Sequence, residues 1–255
     1  MNAQIKSLFL ISLICNLLFM GLFSWLIIRK GGFSYLANQI SLMMQDYKKS
    51  GSSSSRNSNF SVYYEMKKRQ FEVLPNSDRE IIFLGDSLTD QAEWAELLNN
   101  PHIKNRGISG DTTEGVLARL DEIVESKPKQ IFLMIGTNDI WNTGKTVGQV
   151  TQNYKLIIET IKQRSPSTQV FVQSLLPVNN QDYRIKVNNN DLVRINRQIE
   201  EFAKQFSYQY IDLYKSFINK QHQLDPKYTF DGVHLNEQGY LTWKRIIESY
   251  VADSI

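Results

Sequence analysis

A serine, a histidine and an aspartate have surroundings that suit nucleophilic catalysis. Ser87 follows a run of apolar residues in "IIFLGDSLTD", and Asp231 and His234 lie three positions apart in "DGVHLNEQGY". A serine hydroxyl is a weak nucleophile unless a base takes its proton as it attacks. His234 could be that base, and Asp231 could hold the other ring nitrogen and fix the tautomer. These residues together predict acyl transfer through an activated serine.

Acyl transfer also needs hydrogen-bond donors for the oxyanion of the tetrahedral intermediate. Three candidates follow predicted strands: the backbone N–H of Ser87, that of Gly110 in "GISGDTT", and the side-chain amide of Asn138 in "GTND". Gly110 has no Cβ, so its backbone can approach a substrate closely. We therefore predict an oxyanion hole built from these three groups.

Several neighbouring residues have two interpretations. Asp86 and Asp139 are expected to orient their loops rather than to do chemistry. Trp94 and Trp141 follow two of the motifs and either wall a substrate pocket or pack elsewhere. The polar run 178–191 is favoured as a solvated loop, although it could border the substrate mouth.

Composition excludes other classes of function. The net charge of the 255 residues is +3, and no basic stripe with aromatic residues points to a nucleic-acid partner. Cys15 is the only cysteine, and the three histidines lie far apart, so no metal site is predicted. His102 and His222 have no visible partner and receive no role. No cofactor is expected.

The first thirty residues form a separate segment. Residues 8–28 carry no charge, and Arg29 and Lys30 follow them. At ~1.5 Å per residue, such a helix spans roughly the 30 Å of a bilayer core. A cleaved signal peptide is the alternative, although its apolar region is usually only ~7–15 residues long. Residues 1–30 are thus predicted to be a single-pass membrane anchor, with basic residues on both sides that leave its orientation open.

The rest of the chain divides into a linker and one folded domain. Residues 31–59 contain "KKSGSSSSRNSN" and predict a flexible tether, so the domain is placed at 60–255. Within it, apolar runs of strand length alternate with helical periodicity, which indicates a parallel sheet covered on both faces. The strand candidates are 80–84, 103–108, 130–135, 169–175 and 208–213. In such sheets ligands bind beyond the carboxyl ends of the strands, where all the motifs above are placed.

The four motifs together resemble the SGNH, or GDSL, family of esterases and lipases. "GDSL", "ISGDTT", "GTND" and "DGVH" occur in the family's order. The resemblance implies that Ser87 is the nucleophile, that Asp231 and His234 complete a triad, and that Gly110 and Asn138 complete the oxyanion hole. It also implies a flavodoxin-like three-layer α/β/α sandwich with a parallel five-stranded sheet.

The resemblance is strongest to the branch that contains platelet-activating-factor acetylhydrolase-type subunits and bacterial acetylesterases. It implies an esterase that acts on an acetyl or other short acyl ester of a carbohydrate or lipid, and the segment 1–30 predicted above would anchor that enzyme in a membrane. An O-acyltransferase could use the same triad. A catalytically dead membrane scaffold is disfavoured, because every catalytic position of the family is filled. The oligomeric state is not predicted.

Overall fold

Five parallel β-strands form one sheet in this computed structural model. The strands are β1 (Ile81–Gly85), β2 (Ile103–Gly107), β3 (Gln130–Met134), β4 (Gln169–Gln173) and β5 (Gln209–Ile211). Their order across the sheet is β2-β1-β3-β4-β5, and every neighbouring pair is parallel. This is the flavodoxin-like order. The predicted α/β fold with a five-stranded parallel sheet is confirmed, and each predicted strand overlaps an observed one.

Helices connect the strands and cover the sheet. They are α1 (Val62–Glu72), α2 (Ser87–Asp90), α3 (Trp94–Leu97), α4 (Thr113–Ala118), α5 (Leu120–Glu125), α6 (Thr137–Trp141), α7 (Val147–Arg164), α8 (Asn189–Gln205), α9 (Tyr214–Phe217) and α10 (Glu237–Ala252). A short 3-10 helix, Pro226–Tyr228, precedes the last motif. The long helices carry apolar stripes at helical spacing, and on α7 the stripe is fully buried.

Aromatic side chains organise one face of the sheet. Phe83, Phe132 and Phe171 stand in register on β1, β3 and β4, with ring centroids 4.8 and 4.5 Å apart. Trp94 on α3 stacks on Phe83 at 4.5 Å, and Trp243 on α10 meets Trp94 edge-on at 4.8 Å. This stack fixes α10, and with it the loop that precedes α10, against the sheet.

Two features of the helices differ from the sequence pattern. Leu117, Leu120 and Val124 suggest one continuous apolar face, but the helix breaks at Arg119, which separates α4 from α5. The sequence pattern does not identify α1. Its buried residues, Tyr64 and Phe71, pack with Ile108 in a small second core, and the Tyr64 hydroxyl donates to the Gly115 carbonyl at 2.6 Å.

The structure describes residue 29 and residues 60–252. Phe60–Ile255 is one compact unit. Apart from Arg29, the predicted anchor at 1–30 and linker at 31–59 lie outside the described residues. Among the residues that are described, no helix combines the length and the apolar character needed to span a membrane.

Candidate active site

Ser87 lies at the start of α2, directly beyond the carboxyl end of β1. The Asp86 carboxylate accepts a hydrogen bond from the Leu88 N–H at 3.1 Å and so caps this short helix. A Cβ on Gly85 or Gly107 would collide with α2, so the two glycines let that helix turn tightly over the strand ends. Cap and nucleophile are therefore neighbouring residues, and Asp86 orients its loop as expected.

His234 links Ser87 to Asp231. The Nε2 atom of His234 lies 3.0 Å from Ser87 Oγ, and its Nδ1 atom lies 2.6 Å from Asp231 Oδ2. The other carboxylate oxygen of Asp231 accepts from the backbone N–H groups of Val233 and His234 at 2.9 and 2.8 Å. The structure thus brings all three predicted side chains into one hydrogen-bonded series.

The charge of Asp231 is stabilised by these contacts. Partial burial raises the pKa of Asp231, but the hydrogen bonds from the His234 ring and from two backbone N–H groups outweigh it and hold that pKa below its usual value. An ionised Asp231 favours a proton on Nδ1 of His234 and leaves Nε2 free to accept one from Ser87. The geometry and the electrostatics therefore agree on the tautomer that a general base requires.

The three candidate oxyanion donors line one cavity with His234. Among the described residues, the backbone N–H groups of Ser87 and Gly110 have no acceptor. The Asn138 amide donates one hydrogen to the Asp111 carbonyl at 3.0 Å, and its oxygen accepts from Asn142 at 2.9 Å. Because an amide nitrogen carries two hydrogens, one remains for a ligand. Gly110 has a φ of 81°, which a glycine adopts without strain.

The cavity above Ser87 has a volume of about 310 Å³. Its walls come from the loops after β1, β2 and β3 and from the loop before α10. Trp141 lines it and is 36% exposed, whereas Trp94 is 1% exposed and belongs to the core. Of the two tryptophans, only Trp141 is thus a pocket residue. The lining residues are Asp86, Ser87, Leu88, Gln91, Ser109, Gly110, Thr137, Asn138, Trp141, Asn142, Val233 and His234.

Asp139 joins the Asn138 motif to the Gly110 motif. Its buried carboxylate accepts from the backbone N–H of Thr113 at 2.9 Å and from the Thr113 hydroxyl at 2.6 Å, and it pairs with Lys145 at 3.1 Å. These bonds hold the start of α4 against α6. Asp139 is a structural residue of the site, as expected.

The polar run 178–191 packs against the loop that carries Asp231 and His234. The Asn179 N–H donates to the Gly232 carbonyl at 2.8 Å, and a Cβ on Gly232 would lie 2.6 Å from the Tyr183 ring. Val178 and Val187 are buried. Seven of the fourteen residues are exposed, as in a solvated loop, whereas the contacts above join the run to the loop of Asp231 and His234.

Asp86 has an unusual environment. It is 3% exposed, and burial raises the pKa of its carboxyl to about 7, against the opposing hydrogen bond from the Leu88 N–H.

His102 and His222 are exposed and lie outside the cavity. No group of three or more histidine, cysteine or acidic side chains suited to a metal ion occurs within 60–252.

Comparison with known protein sequences agrees with the resemblance to GDSL esterases. Residues 83–241 match the model of the GDSL-like Lipase/Acylhydrolase family. A curated relative, platelet-activating factor acetylhydrolase IB subunit alpha1 of Bos taurus, is 32% identical over 68% of this chain and 75% of its own.

Solved structures share the fold. A GDSL-like lipase from Bacteroides thetaiotaomicron aligns with a TM-score of 0.66 and 23% identity, over 75% of this chain and 98% of its own. An acetylxylan esterase from Geobacillus stearothermophilus aligns with a TM-score of 0.57 and 19% identity, over 69% of this chain and 95% of its own.

Proposed function

The chain belongs to the GDSL-like Lipase/Acylhydrolase family and is a carboxylic ester hydrolase, and from that premise we propose that it hydrolyses short acyl esters through an acyl-serine at Ser87. The observation that carries the proposal is the series Ser87–His234–Asp231, with hydrogen-bond distances of 3.0 and 2.6 Å at the wall of the cavity. The proposed substrate is an acetyl or similarly short ester of a carbohydrate or a lipid.

Each group has one task in the acylation step. Ser87 Oγ attacks the ester carbonyl carbon while His234 Nε2 takes the hydroxyl proton, and Asp231 stabilises the resulting imidazolium. The oxyanion receives hydrogen bonds from the Ser87 N–H, the Gly110 N–H and the Asn138 amide. The intermediate then collapses, the bond to the alcohol breaks, and His234 returns the proton to the departing alkoxide.

Deacylation reverses these roles with water. His234 takes a proton from a water molecule as its oxygen attacks the acyl carbon, and Ser87 Oγ leaves and recovers the proton. The carboxylic acid and the free enzyme result.

The cavity supports a small acyl group. Its volume of about 310 Å³ is at the low end for small-molecule sites, which range over roughly 300–1,000 Å³. The bovine relative is by name an acetylhydrolase, and its identity of 32% makes the acetyl group the first choice. The acetylxylan esterase supplies only a shared fold, so the carbohydrate portion rests on less support than the acyl portion.

An ester panel tests the proposal. The purified protein is assayed with p-nitrophenyl esters from acetate to dodecanoate, and then with acetylated xylooligosaccharides and an acetylated phospholipid. We expect the acetyl ester to give the highest kcat/KM, and a fluorophosphonate to modify Ser87. Preference for long chains would overturn the short-acyl proposal. An added sugar alcohol that captures the acyl group would identify transfer rather than hydrolysis.

The membrane anchor is a separate proposal, supported by the uncharged run at 8–28. We expect the full chain to remain with membranes after a carbonate wash, and a chain that lacks residues 1–55 to be soluble and equally active on p-nitrophenyl acetate. A full chain released by carbonate would contradict the anchor without affecting the esterase proposal. Protease treatment of intact cells would then show which side carries the hydrolase.

A further inference from the structure

Arg119, at the break between α4 and α5, is a buried guanidinium that reaches two motifs of the candidate site. Its Nη2 atom donates to the Gly85 carbonyl at 3.2 Å, two residues before Ser87. Its Nε and Nη2 atoms each lie 2.9 Å from Asp111 Oδ2, one residue after Gly110. One planar group thus connects the loop of the nucleophile to the loop of an oxyanion donor.

Asp111 extends this connection to the third motif. Its carbonyl accepts the hydrogen bond that orients the Asn138 amide, at 3.0 Å. Its second carboxylate oxygen accepts from the Thr112 N–H at 2.8 Å and lies where any side chain on Gly115 would collide with it. The position of the Asn138 amide therefore depends on Asp111, and the position of Asp111 depends on Arg119.

The ion pair of Arg119 and Asp111 is buried, so it cannot move unless the loops that it connects move with it. The side chains of Arg119 and Asp111 are 3% and 1% exposed. Burial raises the pKa of the Asp111 carboxyl, and the Arg119 guanidinium opposes that shift. Separation of a buried ion pair leaves an uncompensated charge, which is strongly unfavourable. The Arg119 Nη1 atom has no acceptor among the described residues. Hydrogen bonding alone therefore does not account for a buried arginine at this position.

We propose that Arg119 and Asp111 are positioning residues for catalysis, which set the oxyanion donors Gly110 and Asn138 at the correct distance from Ser87. Neither residue lines the cavity. They act through the Gly85 carbonyl and through the Asn138 amide. The inference rests on the proposed acyl-serine chemistry and adds to it the part that holds the transition-state donors in place.

A second buried ion pair provides a matched control. Arg106 Nε donates to Glu122 Oε1 at 3.0 Å, and the two side chains are 2% and 12% exposed. Arg106 also lies over the Phe71 ring, at 4.8 Å, as Arg119 does at 6.0 Å, and it too has a buried nitrogen without an acceptor among the described residues. The Arg106 side chain bonds to Glu122 and not to a motif of the site, which is the difference from Arg119.

The experiment compares Arg119→Met with Arg106→Met, and Asp111→Asn with Glu122→Gln, in the full chain. We expect all four to lower the melting temperature, and only the first of each pair to lower kcat for p-nitrophenyl acetate. A small displacement of catalytic groups costs up to roughly 100-fold, so a loss of about 10- to 100-fold is expected. KM should change little, because the donors act mainly in the transition state.

Two further readouts separate positioning from a loss of stability. The pH at which kcat is half-maximal should stay unchanged in Arg119→Met, because His234 and Asp231 are untouched. Arg119→Lys, which can restore the charge beside Asp111 but not the planar fork, should recover part of kcat. If Arg119→Met does not fold, the isosteric variant Asp111→Asn is used to test the inference.

A kcat equal to wild type in folded Arg119→Met or Asp111→Asn would overturn the inference, as would an equal loss in the Arg106 and Glu122 variants. Absence of ester hydrolysis in the wild-type protein would instead contradict the proposed function. The two failures are thus distinguishable in one set of assays.

Discussion

His234 Nε2 lies 3.0 Å from Ser87 Oγ, although 147 positions separate the two residues along the chain. The contact exists because β1 lies inside the sheet and because the aromatic stack of Trp94 and Trp243 holds α10 against it. The loop before α10 then meets the loop after β1 at the same edge of the sheet.

Removal of either partner should abolish most turnover. We expect Ser87→Ala and His234→Ala each to lower kcat by at least about 10⁴-fold, and the double variant to be little worse, because the two residues act as one unit. Initial rates on p-nitrophenyl acetate measure this. His222→Ala, which changes an exposed histidine outside the cavity, is the control and should retain wild-type kcat. Activity above one-tenth of wild type in His234→Ala would contradict its assignment as the base.

Asn138→Ala should impair the transition state more than substrate binding. Loss of one oxyanion donor typically lowers kcat by roughly 10²- to 10³-fold, with a smaller effect on KM. Asn196→Ala is the matched control, because Asn196 is equally buried and its amide bonds to the backbone of Leu175 in both directions. Both variants should melt at a lower temperature, but only Asn138→Ala should lose kcat. A destabilised Asn138→Ala with normal kcat would remove Asn138 from the oxyanion hole.

Asp86 should make stability depend on pH in the direction opposite to that of a paired carboxylate. Burial raises its pKa to about 7 in the fold from an ordinary 3.8, so the folded state binds a proton that the unfolded chain releases. The stabilisation is therefore present below about pH 4 and is lost as the pH rises through about 7.

Asp86→Asn isolates this contribution, because asparagine keeps the oxygen that caps α2 and does not titrate. We expect Asp86→Asn to be more stable than wild type by a larger margin at pH 8 than at pH 5, measured by urea unfolding. Other titrating groups are common to both proteins and cancel in the difference. An equal margin at both pH values would show that Asp86 titrates in its ordinary range.

Gly232→Ala should disturb the loop of Asp231 and His234. Gly232 has a φ of 84°, and a Cβ there would lie 2.6 Å from the Tyr183 ring, so the loop or the run 178–191 must shift. We expect kcat to fall by on the order of 10- to 100-fold, because small displacements of the base are costly. Gly144→Ala is the control, since its φ is 65° but no atom lies within 4 Å of the added methyl group. It should lose stability and keep kcat; equal kcat in the two variants would mean that the loop absorbs the change.

The sequence predicted the centre of the sheet well because β1, β3 and most of β4 are short apolar runs with both faces buried, whereas the edge strands β2 and β5 carry polar, partly exposed residues. The site residues could also be predicted, since serine, glycine, asparagine and histidine each follow a strand or precede a helix in recognisable motifs. Asp111 and Arg119 could not be assigned in the same way. A buried ion pair has no periodic pattern, and a charged residue within a helical stretch is usually solvent-exposed. An arginine at the inward position next to Leu120 is the one available signal.

Helix α1 and the run 178–191 were harder to interpret for a related reason. On α1 the buried residues Tyr64 and Phe71 are outnumbered by exposed apolar side chains such as Val62 and Met66, so no clear stripe marks the helix. The run 178–191 is rich in asparagine, and its burial depends on amide bonds to backbone groups, as between Asn189 and Val178. Composition alone indicates that such a segment is exposed to solvent.

The packing of α1 has a consequence for the boundaries of an expressed fragment. The family match begins at residue 83, whereas Tyr64 and Phe71 cover Ile108 and the Tyr64 hydroxyl bonds to Gly115. A fragment cut at the family boundary would lose Tyr64 and Phe71 and would expose the aliphatic side chain of Ile108. The shortest fragment that keeps this packing starts at Phe60, and a protease that trims the chain from its amino terminus should pause there.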